Sequence, residues 1–257
     1  MATPILWQFA ISHYAEKARW ALDYKRVPHI RRSLFPGPHI GRIKPMTGQT
    51  AVPVLELEGE IIFDSSRILE ALDKAHPEPP LYPANPAERE RATALEHFFD
   101  EGLGVDLRQW GYFMLLPHTA TVTAMFAGNS TPSQRVFLRV MFPAVRPLMR
   151  RAMKVYPAEA AAARERTIAA MDRIAREVQP SGYLVGDRFS AADLTAAALL
   201  SPLLMPSEAP YKWPVRLPAD FARAREELRE HPAFKWAQAI YTRHRGVSAA
   251  LVEETVI

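Results

Sequence analysis

"AVPVLELEGEIIFDSSRILEALDKA", residues 51–75, reads as two short strands, a tight turn and a helix. Apolar runs flank Glu58 and Gly59, which is a hairpin signature. Asp64, Ser65 and Ser66 stand where a helical apolar periodicity begins, as residues at a helix start do. Pro53 opens the first strand, so Val52 is held extended, and the Val52–Pro53 bond is of the kind that can be cis. A cis bond would turn the N–H and C=O of Val52 outward, where a peptide-like ligand can add as an extra strand. A trans proline at a sheet edge is the plainer reading. Free N–H groups at a helix start suit a carboxylate, and Asp64 suits an ammonium group beside it. Simple capping accounts for the same residues.

Toward the N-terminus, "PILWQFA" (4–10) reads as a strand and 14–25 as a helix. The spacing puts Ala15, Ala18, Leu22 and Trp20 inward and Glu16, Lys17 and Arg19 outward. Ser12 and His13 fall at the junction, in "ISHYAEKARWAL" (11–22). Ser12 there is either an N-cap or a hydroxyl placed to stabilise a nearby thiolate. "VPHIRRSLF" reads as a half-exposed strand, and "GPHIGRIKPMTGQT" (37–50) as a Gly/Pro-punctuated loop. The order is β-α-β-loop-β-β-α over 75 residues.

Toward the C-terminus, "HPEPPLYPANP" carries five prolines in eleven residues and reads as a linker. Beyond it the pattern is helical: "AERERATALEHFFDEGL", "PAEAAAARERTIAAMDRIAREVQP", "SAADLTAAALLSPLL" and "HPAFKWAQAIYTRHR". Ser190 and Asp193 form a capping box, with Phe189 and Leu194 placed as a hydrophobic staple. The expected division is 1–76 α/β domain, 77–86 linker, 87–246 all-helical domain and 247–257 tail.

The 257 residues suffice for two modest domains, and 48% hydrophobic with 23% charged is ordinary for a globular chain. A net charge of +4, with both signs interspersed, does not argue for nucleic acid. The absence of cysteine excludes disulfides, thiolate metal sites and a cysteine nucleophile, and with them thiol–disulfide exchange. No metal site is expected. No apolar run of 18 residues exists and the start lacks a secretory pattern, so a cytoplasmic protein is expected.

Taken in order, these stretches resemble the glutathione S-transferase superfamily. "SHYAEKARWAL" resembles the S/C-P-F-x-x-K/R-x-R-x-A-L start of its tau and omega classes, "VPVL" the segment around its cis proline, and "FDSSRILEAL" its glutathione corner. "YLVGDRFSAADLTAAALL" is similar to its L-x-G-x-x-F-S-x-A-D stretch. The resemblance implies a thioredoxin-like N-terminal domain followed by an all-helical C-terminal domain. It implies glutathione as co-substrate, attacking a small-molecule electrophile, and a homodimer. It places Ser12 at the sulfur, Val52 and Pro53 along the cysteinyl backbone, and Asp64 and Ser65 at the γ-glutamyl end. Gln49 or Lys44 would take the glycyl carboxylate. Tyr14, Trp110, Tyr112 and Phe113 would line the pocket for the electrophile.

Two features depart from the pattern. His13 stands where the family usually has proline, and "GQTAVP" is two residues longer than the common loop. These leave room for a rival: a non-catalytic binding protein on the same fold. Residues 115–157 form an enlarged basic section with Arg135, Arg139, Arg146, Arg150, Arg151 and Lys154. Pro143 and Pro147 are expected to kink it, which favours a cap over the active site or a dimer contact above a membrane-surface helix.

Overall fold

In the computed structural model, residues 2–128, 130–211, 213 and 216–256 are described. The first domain holds β1 (Ile5–Gln8), α1 (His13–Tyr24), β2 (His29–Ser33), α2 (His39–Thr47), β3 (Val54–Leu57), β4 (Glu60–Phe63) and α3 (Ser65–Ala75). The second holds α4 (Pro86–Phe98), a π-helical turn (Phe99–Gly104), α5 (Val105–Leu115), α6 (Thr119–Ala127), α7 (Pro132–Ala152), α8 (Pro157–Glu177), α9 (Ala191–Leu204), α10 (Ala219–Leu228) and α11 (Pro232–His244). β5 (Ala250–Thr255) follows.

The sheet order is β4-β3-β1-β2-β5. β1 runs parallel to β2 and antiparallel to β3, as a β-α-β unit joined to a hairpin requires. The hairpin turns at Glu58 and Gly59, both at positive φ. The Val52–Pro53 peptide is cis, and Pro53 itself is buried.

Four sequence expectations are corrected. The loop expected at 37–50 contains α2; Pro38 caps it, and Pro45 lies in its last turn. The expected tail contains β5, which lies parallel to β2 and makes it an interior strand. Pro143 and Pro147 lie inside α7, which is continuous through both. Glu16, Lys17 and Arg19 do not face solvent: their exposures are 0%, 0% and 1%.

Burial of three charges on one helix is tolerable only because each is paired. Lys17 Nζ lies 2.8 Å from Glu96 Oε1, 2.5 Å from Asp100 Oδ2 and 2.7 Å from Ser66 Oγ. Arg19 Nε donates to Glu16 Oε2 at 2.8 Å and its Nη1 to Gln8 Oε1 at 2.9 Å. Arg245, just past α11, donates to Glu16 Oε1 at 2.7 Å and to Asp23 Oδ2 at 2.9 Å. Asp23 also accepts from Arg31 and from the Ala249 N–H, so it anchors the chain entering β5. α1 is thus locked to both domains by ion pairs.

α9 forms the centre of the second domain and is buried on nearly every side. Its start has the expected box. Asp193 Oδ2 accepts from the Ser190 N–H and hydroxyl, and Oδ1 accepts from the Leu184 N–H at 2.8 Å. α6 and α7 build a second core of their own, joining Phe126, Leu138 and Phe142 to Ile11 and Phe35 of the first domain. A Cβ on Gly37, at φ +102°, would lie 3.2 Å from Val145 of α7, so glycine lets the two domains approach there.

Candidate active site

β1 ends at Gln8, and the chain turns through Phe9–Ile11 into α1, with the Ser12 N–H donating to Phe9 O at 3.0 Å. Ser12 is the N-cap of α1, and its Oγ accepts from the Ala15 N–H at 3.2 Å. That bond uses a lone pair of the hydroxyl and leaves its proton free. Ser12 also lines a cavity of about 410 Å³, a volume suited to a small organic ligand. Ser12 thus caps the helix and lines the cavity, with its hydroxyl proton uncommitted among the described residues.

The two neighbours of Ser12 are differently occupied. The Tyr14 hydroxyl donates to the Asp100 carbonyl at 2.6 Å, and burial pushes the phenol well above its ordinary range. Its ring approaches so closely that a Cβ on Gly104 would lie 2.4 Å from the hydroxyl oxygen. Tyr14 thus contributes a wall, and its proton is already committed. His13 is buried, its Nε2 has no hydrogen-bond partner among the described residues, and its edge meets the Tyr14 ring at 4.7 Å. Burial, and then the Arg108 charge, hold the His13 imidazole down to about 3, so it is neutral at pH 7.

Val52 lines the same cavity, with Thr50 and Ala51 before it. Gln49 is turned onto its own loop: its side chain donates to Ala51 O at 3.0 Å and accepts from the Ala51 N–H. Lys44 is exposed on α2. Neither lines the cavity.

Asp64 and Ser65 start α3, also outside the cavity lining. The Asp64 carboxylate is exposed and accepts from the Ser66 N–H at 2.9 Å. Its φ of +79° is costly for a residue with a side chain. Ser65 is buried, and Ser66 Oγ donates to Asp100 Oδ2 at 2.5 Å. The corner is thereby fastened to the π-helical turn of the second domain.

Among the four aromatics expected around a second ligand, Tyr14 and Tyr112 line the cavity. Trp110 is 4% exposed and belongs to the main core, and Phe113 is exposed; neither lines the cavity. The sequence reading passed over Arg108, Gly111 and Leu115 on α5, Phe126 on α6, and Val145 and Met149 on α7. Positions 108, 111, 112 and 115 share one helical face, so Tyr112 could have pointed to the first, second and fourth. No local signal marks the α6 and α7 residues. They reach the cavity because the enlarged section folds back over the first domain.

The residues present suit a tripeptide thiol. Val52 offers strand-like backbone and Ser12 a hydroxyl proton, while at the α3 start the Ser66 and Arg67 N–H groups are capped by the Asp64 carboxylate.

A family model of the glutathione S-transferase N-terminal domain matches residues 6–80. A maleylacetoacetate isomerase of Dictyostelium discoideum is 31% identical over 93 residues, which is 33% of this chain and 41% of that one. The chain spans less than half the length of the curated relatives it matches. Among solved structures, a β-etherase from Sphingobium sp. strain SYK-6 superposes with a TM-score of 0.62 at 19% identity, covering 92% of this chain and 98% of that one. A theta-class glutathione S-transferase from Xanthomonas axonopodis pv. citri, with glutathione bound, gives a TM-score of 0.57 at 16% identity, covering 97% and 100%. Residues 6–80 thus match the model of the glutathione S-transferase N-terminal domain, and the chain shares the fold of these solved structures along more than nine-tenths of its length.

Proposed function

We propose that the protein is a glutathione-dependent enzyme that directs the glutathione thiolate at an electrophile held in the apolar cavity. The observation that carries this reading is Ser12: a cap whose hydroxyl proton remains free, on the lining of the same cavity as Val52. Val52 pairs with the cysteinyl backbone of glutathione, and Asp64 with Ser65 receives the γ-glutamyl end. Ser12 donates to the sulfur and favours its thiolate, because a hydrogen bond to the charged form lowers a pKa. The thiolate electron pair forms the new bond to carbon, and the leaving group departs with its own pair. His13 supplies no proton at neutral pH, since it is already neutral. The Tyr14 proton is held by Asp100. Ser12 therefore carries the role alone.

The walls from α6 and α7 favour an apolar second substrate and exclude water from the sulfur. Calorimetric titration with glutathione, followed by conjugation of a generic aryl halide, tests the reading. Micromolar to millimolar binding with turnover is expected. Binding without turnover favours a non-catalytic binding protein, and absence of binding removes the reading.

A further inference from the structure

Arg108 is the one residue among the described cavity lining whose side chain carries a charge at neutral pH. The rest of that lining is apolar or neutral. His13 is held neutral, and burial also lowers the His39 imidazole. Among the described residues the Arg108 guanidinium makes no ion pair within 4.0 Å and no hydrogen bond. The nearby acids are engaged elsewhere: Asp106 is held by Arg166 at 2.7 Å and Asp100 by Lys17 at 2.5 Å. The guanidinium carbon stands 5.8 Å from the centre of the Tyr14 ring. Tyr112, one turn further along α5, lines the cavity beside it. Arg108 is half-buried; the fully buried Arg19, Arg31 and Arg245 each have a carboxylate partner.

We propose that this guanidinium is an anion-recognition point, and that the second substrate carries a carboxylate on an apolar body. The proposal rests on the reading of this cavity as the second-substrate site. Arg108 is half-buried, so water filling the cavity can reach its guanidinium. An uncharged ligand filling the space would strip that water and leave a cation unpaired, which is costly. A carboxylate replaces the water with a bidentate, charge-assisted pair. The cavity thus prefers an apolar carboxylate to its uncharged counterpart. In the proposed function the γ-glutamyl carboxylate of glutathione has its receiver at the start of α3.

The test is binding to the full chain without glutathione, using 4-phenylbutyrate and its uncharged amide as probes in calorimetry. The acid is expected to bind about ten- to a hundredfold tighter than the amide, the range of one charge-assisted pair. Arg108→Gln should erase that preference and leave the amide affinity within about twofold, while glutathione affinity stays at the parent value. Equal binding of acid and amide to the parent overturns the proposal without any variant. So does a preference that survives Arg108→Gln. A loss of glutathione affinity in Arg108→Gln also overturns it, by assigning the guanidinium to glutathione itself. Failure of the parent to bind glutathione, with the acid preference intact, overturns the glutathione reading and leaves the carboxylate point standing.

Discussion

The Ser12 hydroxyl caps α1 and lines the cavity, and one substitution reads the cap and the proposed donation by different measurements. Ser12→Ala removes the acceptor for the Ala15 N–H, a cap worth about 1 kcal/mol of stability. It also removes the proton offered to the cavity. The sulfur is a small part of a tripeptide, so glutathione affinity should hold while turnover falls. One donor to a thiolate is worth about 1.5–3 kcal/mol, which raises the apparent thiol pKa by roughly one to two units. His13→Ala is the control, since its imidazole is neutral with a value near 3. Ultraviolet titration of bound glutathione distinguishes the two variants. If the thiol pKa stays put in Ser12→Ala while the melting temperature drops, the residue is a cap and nothing more. The cap was legible in the sequence because capping needs a small hydroxyl residue at a strand-to-helix junction. The engagement of Tyr14 was not, because its acceptor is a carbonyl 86 residues away.

Elements divide in the same way. The hairpin, the start of α3 and the α9 box were readable because each is specified by neighbours in sequence. α2 was hidden by Gly41, Pro45 and Gly48, which read as loop punctuation. β5 was hidden because "ALVEET" becomes a strand only beside β2, more than 200 residues earlier. That pairing makes a prediction. Removal of residues 247–257 exposes one edge of β2 and takes from Asp23 the Ala249 N–H at 2.8 Å. It also removes Glu254 from Arg32, and from Gln134 of α7 the Thr255 carbonyl it holds at 3.0 Å. The bond to Asp23 alone is worth about 1.5–3 kcal/mol, and an open edge invites pairing with other chains. The shortened chain should melt lower and associate with rising concentration. Light scattering and thermal melting check this; a truncated chain that matches the parent in both would make β5 dispensable.

Across the whole molecule, the face of α1 expected to point outward, with Glu16, Lys17 and Arg19, is instead the point where the two domains are bolted together. Periodicity alone assigns charged residues to solvent. Their burial here depends on partners from α4, the π-helical turn and the end of α11, which no local pattern reveals. Arg245 joins Glu16 and Asp23 across the domain boundary. Burial by itself would raise both carboxyls; Arg245 with Arg19 at Glu16, and Arg31 with Arg245 at Asp23, outweigh it and hold both below their ordinary values. A carboxyl depressed in the folded state contributes stability that is present above its unfolded pKa, near 4, and is lost as pH falls through the folded value. Arg245→Met should therefore cost about 3–5 kcal/mol at pH 7, because it leaves buried carboxylates short of a partner. The deficit should shrink as pH falls below about 4, because the unfolded chain takes up protons on these carboxyls there and the stability that the guanidinium confers on the parent is progressively lost. Urea unfolding of parent and variant at pH 7, 5 and 3.5 reads the difference directly. The variant should also unfold in two steps at pH 7, the first domain separating from the second, where the parent unfolds in one. A deficit of the same size at pH 3.5 as at pH 7 would mean that Arg245 acts through packing against Trp20, whose ring centre lies 5.7 Å from its guanidinium carbon, and not through charge.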